Sequence, residues 1–363
     1  MKNKVVVAMS GGIDSSVAAY LLRERGWEVI GLTLDLYPPA RAERPAQKAG
    51  ARGGPGEGKD ARTAAAALGI DHFVVDLRRE FASEVVTDFC REYRRGRTPN
   101  PCIRCNERIK FWTLLREAGR LGADAVATGH YARVGRDDAS GRFLLRKGVD
   151  PAKDQSYFLY ALTQAELAAA VFPVGDLTKD EVRRLARRLG LAAAERSESQ
   201  EICFVPDGDY AGFVAARRPG SLRPGPILDS TGRVLGRHRG IIHFTVGQRK
   251  GLGIAAPHPF YVLSIDPARR AVIVGPDESL YRDALIVERL NFVSVQGLKG
   301  PRRLRVKIRS RHDAVEALVS PLPRRRVKVS FARPQRAVTP GQSVVFYDGD
   351  TVLGGGIIRE ALD

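Results

Sequence analysis

The chain has 363 residues, and its 59 Lys and Arg against 41 Asp and Glu leave a formal net charge of +18. With 44% hydrophobic and 28% charged residues it can bury a large core, which excludes an intrinsically disordered chain and suggests two or three domains. The charge biases the choice of partner toward polyanions, nucleic acid ahead of an anionic membrane, with a merely Arg-rich background as the plain alternative. No stretch resembles a signal peptide or approaches the ~18 apolar residues of a spanning helix, so no membrane is expected. Four cysteines, Cys90, Cys102, Cys105 and Cys203, are too few for a secreted disulfide scaffold of this size, which points to the cytoplasm.

In chain order, residues 5–8 read as a short buried strand and 16–25 as a helix. Strands at 28–34, 73–75 and 125–128 follow, with helices at 61–68, 81–94 and 110–121 between them. Strands separated by helices imply parallel pairing and right-handed crossovers, hence an α/β fold with a doubly wound sheet. Ligands of such sheets sit at the carboxyl ends of strands, where residues 10–15 and 128–131 fall. Residues 38–59, rich in Pro, Gly, Ala and Arg without periodicity, read as a surface loop, and 162–189 as helix with a basic face. From about residue 220 short β runs take over, at 241–246, 261–266, 271–274, 304–308, 326–331 and 343–348. The expected division is a catalytic α/β domain over 1–212, a small β-rich linking domain over 213–283 and a C-terminal β-barrel over 284–363.

Ser10-Gly11-Gly12-Ile13-Asp14-Ser15-Ser16 follows the first strand and opens the first helix. Its glycines let backbone approach a phosphate, and the helix N-terminus supplies unpaired N–H donors. Asp14 beside phosphates implies a metal ion or an orienting role. A helix N-cap in a tight turn is the plainer reading. Gly53…Gly58-Lys59 has Walker A spacing, but Asp60 stands where Ser or Thr is needed, and no strand precedes it. It is a chance match.

Thr98-Pro99-Asn100-Pro101-Cys102-Ile103-Arg104-Cys105-Asn106 presents two thiols from one turn, with Arg104, Arg108 and Lys110 close enough in sequence to favour thiolate. Cys203 could supply a third sulfur. Three readings stay open on these residues alone: a catalytic pair, a zinc or iron–sulfur site, or inert thiols. Cys90 reads as a buried apolar residue. Ala127-Thr128-Gly129-His130-Tyr131 and Lys153-Asp154-Gln155-Ser156-Tyr157 suit a polynucleotide, although a strand end and a solvated turn explain them equally well. Arg302-Arg303-Leu304-Arg305-Val306-Lys307-Ile308-Arg309 alternates cations with apolar residues, as a phosphate-facing strand or a guarded edge strand does.

Taken together, these motifs resemble those of a known family. Ser10-Gly11-Gly12-Ile13-Asp14-Ser15 resembles the PP-loop of ATP pyrophosphatases, a HUP-like fold. With Gly96–Pro101, Cys105-Asn106, Ala127–Tyr131, Lys153–Leu159, Ile202-Cys203-Phe204, Thr245–Leu252 and Pro340-Gly341-Gln342, the ordered set is similar to the tRNA-specific 2-thiouridylases over nearly the whole chain. The resemblance implies ATP on Ala8, Met9, Ser10, Gly11, Gly12, Ile13, Asp14 and Ser15, with Leu34 and Gly129, and Mg²⁺ held with help from Asp14. ATP would adenylate O2 of a wobble uridine, and sulfur would then attack C2, releasing AMP.

The resemblance maps the nucleophile to Cys105 and the persulfide carrier to Cys203, with Asp14 completing the catalytic set. Asn100, Pro101 and Cys102 would contact the target base. His130, Lys153, Asp154, Gln155, Arg309, Ser310 and Gln342 would contact tRNA. A cysteine desulfurase or sulfur-relay protein would donate the sulfur. Two departures stand out: Ser310 replaces the family's Tyr, and Cys102 replaces the Asp of many members. Cys102, Cys105 and Cys203 are the number of thiols that hold a [4Fe–4S] cluster with one open iron, so a cluster-dependent variant is one expectation. The rival readings are a PP-loop enzyme acting on a small carboxylate or amide, and an iron–sulfur or RNA-binding carrier with a vestigial nucleotide loop. Under the leading reading, tRNA binding weakens steeply with salt and ATP binding much less.

Overall fold

The computed structural model describes residues 3–37, 57–191, 202–205, 208–255 and 257–363. It forms two compact units, one of Met1–Val85, Cys102–Pro206 and Asp350–Val352, the other of Val86–Pro101, Asp207–Gly349 and Leu353–Asp363. No helix among the described residues is long and apolar enough to cross a membrane.

The first unit is built on β1 (Lys4–Ala8), α1 (Ile13–Glu24), β2 (Glu28–Asp35), α2 (Glu57–Ala67) and β3 (Asp71–Asp76). After β3, α3 (Arg78–Phe81) continues through a π-helical turn at Ala82–Val86 into α4 (Thr87–Arg94), a helix of the second unit. α5 (Pro101–Cys105), a second π-helical turn at Asn106–Lys110, and α6 (Phe111–Leu121) follow. β4 (Ala125–Ala127), the hairpin β5 (Ala132–Arg136) and β6 (Phe143–Lys147), α7 (Gln164–Ala169), β7 (Ala170–Val171) and α8 (Lys179–Arg188) complete the unit's regular elements. The sheet order is β3-β2-β1-β4-β7, parallel throughout. Strand order reverses between β1 and β4, which opens a crevice at their carboxyl ends. Val5, Val6 and Val7 are wholly buried, and Val17, Ala18 and Leu22 of α1 pack against the same core.

In the second unit, α9 (Tyr210–Arg217) precedes a four-stranded sheet of β8 (Gly225–Leu228), β9 (Val234–His238), β10 (Tyr261–Asp266) and β11 (Ala271–Gly275) in the order β10-β11-β8-β9. The C-terminal strands are β12 (Tyr281–Phe292), β13 (Arg302–Lys307), β14 (Val315–Leu322), β15 (Arg326–Arg336), β16 (Ser343–Asp348) and β17 (Thr351–Leu362). They run β12-β15-β14-β13-β16-β17, and pairing of β12 with β17 closes the barrel. Alternation gives it an apolar interior: Leu304 and Val306 of β13 are buried while Arg303 and Arg305 are exposed.

Several expectations need correcting. The helix expected over 162–189 is two helices separated by β7, because Pro173 and Gly175 interrupt it; a Cβ on Gly175 would lie 1.8 Å from the Ala132 carbonyl oxygen. The strand expected over 241–246 contains a 3₁₀ turn at Ile241–His243, where consecutive Ile241 and Ile242 are both buried, a pattern no half-buried strand allows. Residues 38–56 of the expected loop, Gly53 of the chance Walker spacing and the Ser199–Glu201 stretch lie outside the described residues, while Gly58 and Lys59 belong to α2. β17 was illegible because Gly354, Gly355 and Gly356 read as loop. In the barrel, Cβ atoms on Gly354 and Gly356 would fall 2.4 and 2.6 Å from the carbonyl oxygens of Asn291 and Glu288.

Candidate active site

The loop between β1 and α1 lies at the crevice. Gly11 has φ +76°, a conformation L side chains rarely adopt, and Gly12 is the N-cap of α1 with no side chain to cap it. The first N–H groups of α1 therefore have no partner within their own helix. Ser15 is buried; its hydroxyl donates to the Gly12 carbonyl at 3.1 Å and accepts the Ser10 N–H at 3.2 Å, fixing the turn. Met9 is buried, its carbonyl taken by the Thr33 hydroxyl at 2.8 Å, while Ala8 and Leu34 are half-buried at the ends of β1 and β2. Gly129, just past β4, packs directly on this loop: a Cβ there would lie 2.6 Å from both Asp14 C and Ser15 N. Only glycine fits.

Asp14 is held in a network that sequence reasoning missed. Its Oδ1 accepts from Lys179 Nζ at 2.7 Å and from the Tyr131 hydroxyl at 2.8 Å. Lys179 is only 3% exposed and its ammonium lies 5.6 Å from the Tyr131 ring centroid. It sits in the first turn of α8, whose Thr178 and Glu181 form a reciprocal capping box, and its own N–H donates to Asp150 Oδ2 at 3.0 Å. The Thr178-x-x-Glu181 spacing was the sequence signal that a helix starts here with a cation inside it.

The two polar motifs flanking β5 and β6 meet through the backbone. Tyr131 N–H donates to Gln155 Oε1 at 3.0 Å, and Gln155 N–H donates to the Tyr131 carbonyl at 2.8 Å. Asp154 serves its own turn, accepting from Gly148 N, Ser156 N and the Ser156 hydroxyl, and Lys153 N–H donates to the Asp150 carbonyl. His130 lies 2.7 Å from the Thr128 hydroxyl through Nδ1 and stacks on Phe111. Burial, with the Lys110 charge adding to it, pushes the imidazole down to about 3, so it is neutral at physiological pH and cannot meet a phosphate as a cation.

The thiols share the first unit with the loop. Cys105 is buried, Cys102 exposed and Cys203 half-buried. Burial, only partly offset by Lys110, pushes the Cys105 thiol up to about 12. The expectation of a thiolate is thus reversed at Cys105 in the ligand-free protein. The arginines that motivated it are spent elsewhere: Arg104 pairs with Glu84 and Glu107, and Arg108 with Glu107. The adjacent Asn106 is buried and donates through Nδ2 to the Phe158 carbonyl at 3.0 Å. Among the described residues no group of three His, Cys, Asp or Glu side chains is arranged to hold a metal ion. Cys90 is buried, as expected.

In the second unit, motifs far apart in sequence converge on Thr98. Its N–H donates to the Pro340 carbonyl at 2.9 Å, its hydroxyl to Thr245 at 3.3 Å, and its carbonyl accepts from Gln342 Nε2 at 2.9 Å. Asn100 is half-buried and Pro101 buried. Arg309 donates to the Ala337 carbonyl and, at 2.9 Å, to the Thr339 hydroxyl, while Ser310 is half-buried beside it. Along β13, Arg302 pairs with Asp348 and Arg305 donates to the Ala314 carbonyl.

The parallel sheet with its glycine loop at the switch point defines an α/β nucleotide-binding protein of the PP-loop type. Family models agree on the architecture: a tRNA methyl transferase HUP domain matches residues 3–207, a tRNA methyl transferase PRC-barrel domain 212–276, and an aminomethyltransferase beta-barrel domain 282–358. The tRNA-specific 2-thiouridylase MnmA of Geotalea uraniireducens is 51% identical over 363 residues, covering 100% of this chain and 96% of the relative. Proteins of the same name from Heliobacterium modesticaldum, 49% identical over 100% of this chain and 94% of the relative, and Symbiobacterium thermophilum, 50% identical over 99% and 93%, are similarly close. The chain belongs to the tRNA-specific 2-thiouridylase family.

Proposed function

We propose that the chain is an ATP-dependent tRNA-uridine 2-sulfurtransferase that replaces O2 of the wobble uridine with sulfur in the cytoplasm. The observation that carries the reading is a phosphate-ready turn, Gly11–Ser15 closed by Gly129, in the same compact unit as Cys102, Cys105 and Cys203. We take residues 1–212 as the catalytic domain, 213–283 as the linking domain and 284–363 as the tRNA-binding barrel.

In this reading the open N–H groups of α1 and the Ser10 hydroxyl bind the phosphates of ATP, Ser15 holds the turn that presents them, and Leu34 lies beside the nucleoside. Mg²⁺, when bound, offsets the pyrophosphate charge, and Asp14 is the carboxylate that would hold it. Lys179, bonded to Asp14, would bring a buried positive charge beside the phosphates. Uracil O2 attacks the α-phosphorus and pyrophosphate leaves, which converts a poor leaving group into AMP. A donor protein, a cysteine desulfurase or sulfur-relay protein, loads Cys203 as a persulfide. The outer sulfur attacks C2, AMP departs with O2, and Cys105 cleaves the sulfur–sulfur bond. The products are 2-thiouridine and a Cys105–Cys203 disulfide, which a dithiol reductant reopens. His130, Lys153–Gln155 and Arg309–Ser310 are assigned to tRNA, His130 as a neutral hydrogen-bonding group. This route needs no cluster.

The family-model descriptions favour a second reading, methyl transfer to tRNA. Incubating the protein with ATP, persulfide and unmodified tRNA separates the two. Thiolation predicts AMP and pyrophosphate formed only with tRNA bearing the wobble uridine. ATP turnover indifferent to tRNA, or methyl incorporation from a methyl donor without ATP cleavage, contradicts it.

A further inference from the structure

Thr98-Pro99-Asn100-Pro101 leads directly into Cys102, and its two prolines carry no N–H. A segment lacking those donors cannot build a ladder of its own, so its position is set from outside. The outside partner is the turn Pro340-Gly341-Gln342. Gln342 Nε2 donates to the Thr98 carbonyl at 2.9 Å and to the Pro99 carbonyl at 3.4 Å, while the Pro340 carbonyl accepts Thr98 N–H. Gly341 is at φ +93°, and a Cβ on it would stand 2.9 Å from Arg97 Cβ and Thr98 N, so the contact is closed to any larger residue. The turn is fixed to the barrel: Gly341 N–H donates to the Ile358 carbonyl and Ile358 N–H to the Gln342 carbonyl, both at 2.8 Å. Arg309 ties down Ala337 and Thr339 just upstream.

We propose that Gln342 is a positioning residue that clamps Thr98–Pro99, and through the chain Asn100–Cys102, in the geometry from which the target base is engaged. Its amide N–H₂ is spent on protein carbonyls, so its part in thiolation is exerted on the protein loop before RNA arrives. This role rests on the sulfurtransferase reading for its consequence, but not for its geometry. Arg309, which follows β13 and bonds Ala337 and Thr339 just before that turn, links a barrel residue assigned to tRNA to the turn that holds the loop.

The test uses the full chain with Gln342→Glu, which keeps the shape but sets carboxylate oxygens against two carbonyls, and Gln342→Ala if the first variant does not fold. Alkylation of Cys102 and Cys105 by iodoacetamide is mapped by peptide mass spectrometry without tRNA or ATP, followed by tRNA affinity and single-turnover thiolation. A clamp predicts an alkylation rate changed about fivefold or more at Cys102 or Cys105, thiolation slowed about tenfold to a hundredfold, and tRNA affinity within about twofold of the parent. Unchanged alkylation with weakened tRNA binding makes Gln342 an RNA contact and overturns the clamp, as does no change in any readout. Because alkylation needs neither ATP nor tRNA, a parent protein that never thiolates tRNA overturns the enzyme reading while leaving the clamp to be judged separately.

Discussion

Lys179 reaches from the first turn of α8 to Asp14 in the first turn of α1, Nζ to Oδ1 at 2.7 Å, and carries the only full positive charge shown bonded to that carboxylate among the described residues. The Lys179 side chain is 4% exposed and that of Asp14 19%, so this pair is shielded from water. Removing one member strands the other. Asp14→Asn should cost about 3 kcal/mol or more in denaturant unfolding, Lys179→Met somewhat less, and the double variant less than the sum. Additive losses would show that the two charges are independent.

Gly129 tests whether the crevice at β1 and β4 is the nucleotide site. A Cβ there meets backbone atoms of Asp14 and Ser15 at 2.6 Å, and backbone cannot rotate away as a side chain can. Gly129→Ala should therefore weaken ATP binding about a hundredfold, read by nucleotide titration, with tRNA affinity unchanged. Intact ATP affinity would move the nucleotide elsewhere.

The thiol environment predicts a pH response. With Cys105 at about 12, its thiol is protonated at neutral pH. Only the thiolate is alkylated, so the rate at Cys105 should rise about tenfold per pH unit through pH 7–10. A plateau near pH 7 in the ligand-free protein would mean a thiolate already formed.

His130 predicts acid sensitivity. Its folded value of about 3 lies below the ordinary 6.5, so between those values the unfolded chain binds a proton that the folded one does not. Stability is therefore lost as pH falls through that window, and His130→Gln should flatten the loss by up to about one proton, measured from urea midpoints at pH 4 and pH 7. Equal slopes for parent and variant would place the imidazole in water.

Much of this site was legible because glycine and strand-end position carry information along the chain. Ser10–Ser15 and Gly129 declare close approach by having no side chain where strands end. Lys179 stayed hidden because an unbroken helix over 162–189 concealed where α8 begins, and because its partner Asp14 is remote in sequence. The thiolate expectation failed at Cys105 for a related reason: Glu84 lies 20 positions from Arg104, and only the folded turn shows that Glu107 pairs with both Arg104 and Arg108. The bonds from Gln342 to the Thr98 and Pro99 carbonyls were hidden because those partners lie more than 240 positions away.

The +18 charge identifies a class of partner without identifying a reaction. The reaction is tested most directly by following one oxygen. Transfer RNA carrying heavy oxygen at O2 of the wobble uridine is incubated with the protein, ATP and persulfide, and the AMP is weighed by mass spectrometry. Adenylation at O2 followed by sulfur attack at C2 predicts that the label leaves in AMP as 2-thiouridine appears. Label retained in the tRNA, or released to water with unlabelled AMP, would contradict it.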